Sequence, residues 1–220
     1  MKVVVILSGG IDSTTLLYHL KAEGHSVFAL TFDYGQRHRK ELRCAASICQ
    51  ATNTPNQKVC LTALADVFGG NALTDHSVTI QPGRYDEQTL AVTTVPNRNM
   101  ILLSVAIGKA VSLGYHAVAF GAHAGAEGHM YADCSPAFAA AMNQVAAVCD
   151  RRPIEVLAPF VNWKKADIIR RASELGVPFE LTWSCYQGED VPCGRCGTCL
   201  DRSAAFEDAG LSDPLSGQTT

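Results

Sequence analysis

Apolar and polar positions along the chain alternate between two periods. Short, nearly continuous apolar runs recur at Val3 to Leu7, Val27 to Phe32, Lys58 to Leu61, His116 to Phe120 and Ile154 to Leu157. Several of them lack the every-other-residue alternation of a sheet with one wet face. Between them, apolar residues fall at helical spacing over Ser13 to Ala22, Arg39 to Ala51, Asn99 to Leu113, Ala137 to Val148 and Ala166 to Leu175. Strands alternating with helices predict an α/β chain with a parallel, Rossmann-like sheet covered on both faces. Gly24, Gly114 and Gly176 each follow a periodic stretch, with Pro178 beyond the last, as helix C-termini require. Residues 62–95 have weak periodicity and two turn signals, Gly69-Gly70 and Pro82-Gly83, and are expected to form a partly ordered insertion or lid. The polar tail from Ser212 to Thr220 is expected to fray.

Composition narrows the class. A chain of 220 residues buries about 70% of its unfolded surface, enough for one good-sized core. No run of 18 apolar residues occurs, and the apolar start is cut short by Ser8-Gly9-Gly10, so a soluble cytoplasmic protein with no membrane contact is expected. Charged residues make up 18% and the net charge is −3, which disfavours a broad electrostatic grip on nucleic acid and points to a small-molecule partner.

Directly after the first strand comes Ser8-Gly9-Gly10-Ile11-Asp12-Ser13-Thr14-Thr15, leading into the first helix. Two glycines let the backbone approach an oxyanion. The hydroxyls and free amides of the helix start face the same point as the positive end of the helix dipole. The alternative is an ordinary capped turn. The pattern is neither the Walker loop, since no Lys follows, nor GxGxxG.

The nine cysteines are unevenly placed: Cys44, Cys49, Cys60, Cys134 and Cys149 are scattered, whereas Cys185, Cys193, Cys196 and Cys199 fall within fifteen residues. The scattered five are expected to be small core residues. The cluster fits the tetrahedral S₄ shell of one structural Zn²⁺, with redox-active disulfides or an iron–sulfur cluster as the other readings of the spacing.

SGGIDS resembles the pyrophosphate loop of the PP-loop ATP pyrophosphatases. With TFDYGQRHRKE (31–41), VPNRN (95–99), GAHAG (121–125), YADC (131–134), TWSCYQG (182–188) and CGRCGTC (193–199), nearly the whole chain resembles the 7-cyano-7-deazaguanine synthase family. The resemblance implies an adenine nucleotide alpha hydrolase-like ATP-binding domain over residues 1–180, with a zinc-binding region, 181–220, packed on it. It also implies conversion of 7-carboxy-7-deazaguanine and ammonia to 7-cyano-7-deazaguanine by a carbon–nitrogen ligase acting as a homodimer. ATP would activate the carboxylate by adenylation, ammonia would give an amide, and a second activation would allow dehydration to the nitrile.

Residue roles follow from that resemblance. Leu7, Ser8, Gly9, Gly10, Ile11, Asp12, Ser13, Thr14, Thr15, Leu16 and Leu17 form the nucleotide segment, with Asp12 helping to place Mg²⁺. Arg98 and Lys165 neutralise phosphate charge, and Arg98, Asn99 and Asp133 meet the substrate, Asp133 accepting from a guanine-like edge. Arg37 and His38 are expected near the same opening. For Asp133 a helix cap or local turn is the plainer role, and for Arg37, His38 and Lys164 a solvated charged face is the equal alternative.

The chain departs from the family pattern at Asn97, where Gly is usual, and at Ala132, Ser135 and Ala137, where YPDCRPEF carries Pro, Arg and Glu. The second departure permits a divergent paralogue that joins a deazaguanine or other carboxylate to another acceptor, such as a protein. A tRNA sulfur-transfer enzyme or a glutamine-dependent amidotransferase would need a further domain or partner. A non-catalytic ATP-binding module leaves the intact loop unexplained.

Overall fold

A computed structural model describes residues 1–65, 67–123, 131–187 and 190–217. Five parallel strands form one sheet in the order β3-β2-β1-β4-β5: β1 (Lys2–Ile6), β2 (Ser26–Asp33), β3 (Asn56–Cys60), β4 (Ala117–Ala119) and β5 (Glu155–Leu157). Seven helices accompany them among the described residues: α1 (Ile11–Ala22), α2 (Lys40–Ala51), α3 (Glu87–Thr93), α4 (Arg98–Leu113), α5 (Pro136–Val148), α6 (Lys165–Glu174) and α7 (Gly197–Ala209). The predicted strands and helices all appear, with ends displaced by a residue or two. Helices α3 and α7 were not anticipated.

Alternation within the buried strands sorts two cores. Val4, Leu30 and Val118 face α4 and α5, while Val3, Val5, Ala117 and Ala119 face α1, α2, α6 and α7. Both faces of β1 and β4 are therefore dry, which explains their unbroken apolar runs. Strand β3 lies at the edge and carries exposed Asn56, Gln57 and Lys58. No single helix among the described residues is long and apolar enough to cross a membrane.

The strand order reverses between β1 and β4, so the crevice at their C-terminal ends is the place where α/β sheets of this order take ligands. Gly9 shapes one wall. Its φ is +89°, and a Cβ there would lie 2.2 Å from the Glu41 carbonyl oxygen and 2.8 Å from the Ala45 amide nitrogen. Gly121 shapes the other, since its Cβ would lie 3.1 Å from the Ser13 amide nitrogen. Glycines thus let the β1–α1 loop sit against α2 on one side and the β4 end on the other.

Segment 62–95 packs on the rest of the chain. Arg37 donates to the carbonyls of Asp75 and Val78 at 2.9 Å each, and the Gly83 amide donates to the Arg195 carbonyl at 2.8 Å. Ala72 and Ile80 share a small core with Trp183, Cys185, Cys196 and Cys199. Helix α3 opens with a capping box in which the Asp86 carboxylate accepts from the Thr89 amide at 2.7 Å.

Two expectations are corrected. Of the scattered cysteines only Cys49 is buried, while Cys60 and Cys149 are exposed, because the first ends an edge strand and the second follows the last turn of α5. The tail does not fray over residues 212–217: Asp213 forms a bidentate pair with buried Arg202, at 2.7 and 2.8 Å. Residues 218–220 lie outside the described residues. Asn97 does adopt a left-handed φ, +56°, at the start of α4.

Gly9→Ala is expected to destabilise the chain by about 3 kcal/mol, combining overpacking with left-handed strain. Gly24→Ala, at φ +79° with nothing within 4 Å, should cost only about 1–2 kcal/mol. Urea unfolding of both variants checks this, and equal losses would contradict the packing argument.

Candidate active site

The β1–α1 loop is preorganised by its own hydroxyls. The Ser8 amide donates to Ser13 Oγ at 3.1 Å, the Gly10 amide donates to Ser8 Oγ at 3.2 Å, and Thr14 Oγ1 donates to the Gly10 carbonyl at 2.7 Å. Helix α1 starts at Ile11, so the amides of Ile11, Asp12 and Ser13 form its first turn, where no intrahelical carbonyl is available to them. They open into a cavity of about 290 Å³ lined by Leu7, Ser8, Gly10, Ile11, Asp12 and Ser13 on this side. Thr14, Thr15, Leu16 and Leu17 are buried inside α1, and Gly9 faces α2 rather than the cavity.

Lys165, at the start of α6, reaches the cavity from the same face as α1. Its Nζ lies 3.2 Å from Asp12 Oδ2 and 3.2 Å from Asp201 Oδ2 of α7, and Nε2 of His123 lies 3.5 Å from the same Asp12 oxygen. Burial pushes the Asp12 carboxyl up, but Lys165 and His123 together hold it well below the usual carboxylate range. For Lys165, burial works against the charged form, and Asp12 and Asp201 overcome it, so the ammonium is held. Asp12 Oδ1 is buried without a hydrogen-bond partner among the described residues.

Arg98 and Asn99 enter from the first turn of α4. Arg98 NH1 donates to the Tyr34 hydroxyl at 3.3 Å. The carboxylate of Asp133 accepts from the Asn99 amide at 3.2 Å and so serves the open end of α4. Asn99 Nδ2 returns a bond to the Asp133 carbonyl at 3.1 Å. Arg98 and Asn99 line the cavity, whereas Asp133 stands behind them and does not. Ser135 caps α5, accepting from the Phe138 amide at 3.1 Å. Ala132, Ser135 and Ala137 are likewise not among the lining residues.

The segment after β2 supplies groups that the sequence reading undervalued. His38 is buried and lines the cavity; Arg37 instead ties down segment 62–95, and Lys164 is exposed. Burial, with Arg98 and Arg37 nearby, pushes the His38 imidazole down to about 3, so it is neutral. Its Nε2 lies 3.5 Å from Oε2 of Glu41, whose Oε1 accepts from Gln36 Nε2 at 2.9 Å. Burial raises the Glu41 carboxyl to about 7 against the pull of Gln36 and Arg98. Tyr34, Tyr85, Tyr131 and Tyr186 complete the wall, with Tyr85 donating to the Tyr186 hydroxyl at 3.1 Å. Glu41, Tyr85 and Asp201 carried no periodic or spacing signal; of these wall groups, Tyr34, His38, Glu41, Tyr131 and Tyr186 lay inside the motifs that carry the family resemblance. Of GAHAG, Ala124 and Gly125 lie outside the described residues, as does Gly188 of TWSCYQG.

Beside the cavity, the Sγ atoms of Cys185, Cys193, Cys196 and Cys199 all lie within 4.8 Å of one another and could hold a metal ion. The amides of Gln187 and Cys193 both donate to Cys185 Sγ at 3.4 Å, which suits a thiolate. The cluster is fixed to the phosphate loop: the Trp183 amide donates to the Gly9 carbonyl at 2.9 Å, and Trp183 Nε1 donates to the Cys185 carbonyl at 2.9 Å.

Comparison with known proteins places this geometry. Among solved structures, a 4-thiouridine synthetase–RNA complex with bound ATP aligns with a TM-score of 0.54 at 20% identity, covering 95% of this chain and 51% of that one. NMN synthetase from Francisella tularensis aligns at 0.53 and 14% identity, covering 99% and 79%. These likenesses show that the α/β fold is shared with those proteins. A 7-cyano-7-deazaguanine synthase from Psychromonas ingrahamii is 43% identical over 219 residues, 100% of this chain and 99% of its own. One from Caldicellulosiruptor bescii is 46% identical over 215 residues, 98% and 96%. The family model described as queuosine biosynthesis protein QueC matches residues 2–210, and with relatives this similar over their full length the chain belongs to that family.

Proposed function

We propose that the chain is an ATP-dependent carbon–nitrogen ligase that converts 7-carboxy-7-deazaguanine and ammonia into 7-cyano-7-deazaguanine. The observation that carries this reading is full-length similarity to synthases of that name, joined to a helix-start phosphate cradle at the reversal point of the sheet.

A carboxylate is a poor electrophile, and transfer of adenylate from ATP turns one of its oxygens into a leaving group. Ammonia displaces it to give the amide. A second adenylation, on the amide oxygen, lets that oxygen leave as the nitrile forms. Each activation releases pyrophosphate, so the protein's task is alignment and neutralisation of developing negative charge. In this reading the amides of Ile11, Asp12 and Ser13 hold the phosphates, and Lys165 and Arg98 stabilise the charge that builds on them. The buried, unpartnered Oδ1 of Asp12 supports a role in holding Mg²⁺ with the nucleotide. Asn99 and Asp133 serve the substrate, Asp133 by fixing the start of α4 that presents Arg98 and Asn99.

For the four thiolates we propose one structural Zn²⁺. A tetrahedral site with Zn–S bonds of about 2.3 Å sets its sulfurs about 3.8 Å apart. The Cys193–Cys199 separation of 4.0 Å and the 4.8 Å limit on all pairs suit a single ion better than a four-iron cube, which spreads its ligands wider. A homodimer acting in the cytoplasm completes the reading.

Incubation with 7-carboxy-7-deazaguanine, ammonium and ATP should yield the nitrile by mass detection, and ATP consumption without nitrile would reject the proposal. Lys165→Met should lower kcat by roughly 100-fold or more. Asp133→Asn should weaken turnover much more than ATP binding; unchanged deazaguanine kinetics would remove Asp133 from the substrate's support. Metal analysis should return one zinc per chain, and chelation should lower the melting temperature. A brown protein with iron and labile sulfide would overturn zinc.

A further inference from the structure

The start of α2 and the segment before it give the cavity wall polar groups that the chemistry above leaves without work. Glu41 is the clearest of them. Its Oε1 is taken by Gln36, and Gln36 is itself locked, its Nε2 also donating to the Phe32 carbonyl at 3.0 Å while its Oε1 accepts from the Tyr34 amide at 2.9 Å. The carboxyl is therefore held in one orientation by a fully committed amide. No Lys or Arg bonds to it among the described residues; Arg98 acts on it only through space, and burial outweighs that pull. Next to it, His38 is only 4% exposed and its Nδ1 has no hydrogen-bond partner among the described residues. Native interiors rarely leave such an atom unmet. A cavity wall with a fixed carboxyl and an unmet imidazole nitrogen calls for a ligand with several N–H groups on one edge.

The geometry points to Glu41, seconded by His38, as the group that selects a guanine-type heterocycle by accepting hydrogen bonds from its N1–H and exocyclic amine. The assignment rests on the synthase reading and names the substrate-edge contact within it. A guanine edge presents two adjacent donors, which a carboxylate accepts together, whereas an adenine edge presents one donor beside an acceptor. A carboxyl poised near neutrality ionises readily when two donors meet it. The flat rings of Tyr34 and Tyr186 flank this corner, Tyr186 lying with its centroid 5.4 Å from that of His38. Arg98, bonded only to the Tyr34 hydroxyl among the described residues, supplies the cation that a heterocycle bearing a carboxylate also needs.

The test compares wild type with Glu41→Gln, which keeps size but sets an N–H₂ group against the ligand's donors. By calorimetry, Kd for 7-carboxy-7-deazaguanine should rise about 10- to 150-fold, the range for a lost bond to a charged group, with Kd for ATP within twofold. Unaltered ATP binding also reports an intact fold. A second arm needs no variant: the 7-carboxy analogue lacking the exocyclic amine should bind wild type about tenfold or more weakly than the parent. It should bind Glu41→Gln with little further loss. Equal affinities of parent and analogue for wild type, unchanged binding in the variant, or a loss confined to ATP would each overturn the assignment, the last by giving Glu41 to the adenine. If wild type binds the heterocycle through Glu41 but forms no nitrile, the functional reading fails and the subsite stands; if it binds no deazaguanine at all, both fall.

Discussion

Three helices meet at one ammonium. Lys165 of α6 lies 3.2 Å from carboxylates on α1 and α7, so one ammonium ties the helix that follows the β1–α1 loop to α6 and to the helix that leaves the cysteine region. Charges drawn out of water cost several kcal/mol each, and their attraction offsets this only when every partner is in place, so removing one costs about 3–5 kcal/mol. What such a triad adds to an apolar core is position. Burial of Leu16, Ile168, Ile169, Ala205 and Phe206 is non-directional, whereas an ammonium between two carboxylates fixes which atoms of the three helices must meet. It also leaves a cation beside the open helix start.

The order of strands and helices was legible because the sheet is parallel and dry on both faces, so burial wrote itself into continuous apolar runs. Helix ends were legible for the same local reason: Gly24, Gly114 and Gly176 all take positive φ. Helix α7 was hidden because it begins inside the cysteine motif. Its Gly197 and Cys199 belong to the cysteine cluster, and its buried polar Arg202 interrupts the apolar stripe. The phosphate loop and the four cysteines declared themselves by spacing. Tyr85 and Asp201 did not, since each acts through a partner remote in sequence: Tyr85 through Tyr186, Asp201 through Lys165. Glu41 did not either, because its partners Gln36 and His38 are local and only the fold buries it in the cavity wall. Composition misled for Cys60 and Cys149, whose exposure depends on strand and helix ends rather than residue type.

The cysteine loops are more than a distant staple. Cys185 follows Trp183, whose amide holds the Gly9 carbonyl, and Cys196 leads into α7, which carries Asp201 to Lys165. Residues 82–83 pair with residues 195–196, and the Tyr85 ring packs so closely on Gly197 that a Cβ there would lie 3.0 Å from it. The same few residues therefore fix the phosphate loop from below and the 62–95 segment from above. This explains how a segment with weak periodicity of its own, and one short helix, becomes a wall of the cavity: its order is borrowed from the cysteine loops.

The altered YADCSPAF stretch acquires a specific meaning from this arrangement. Ser135 uses its hydroxyl to cap α5, and Ala132 and Ala137 are exposed, so all three replaced positions stand at a helix entrance rather than in the cavity wall. The residues of that stretch that do reach inward, Tyr131 and Cys134, match the family pattern, and Asp133 still holds the start of α4. Loss of an Arg and a Glu here removes charge outside the cavity wall while leaving Arg98 and Glu41, which line it, intact. A change of acceptor would have to be read in the groups that face the bound molecules, and those are the groups the departure spares.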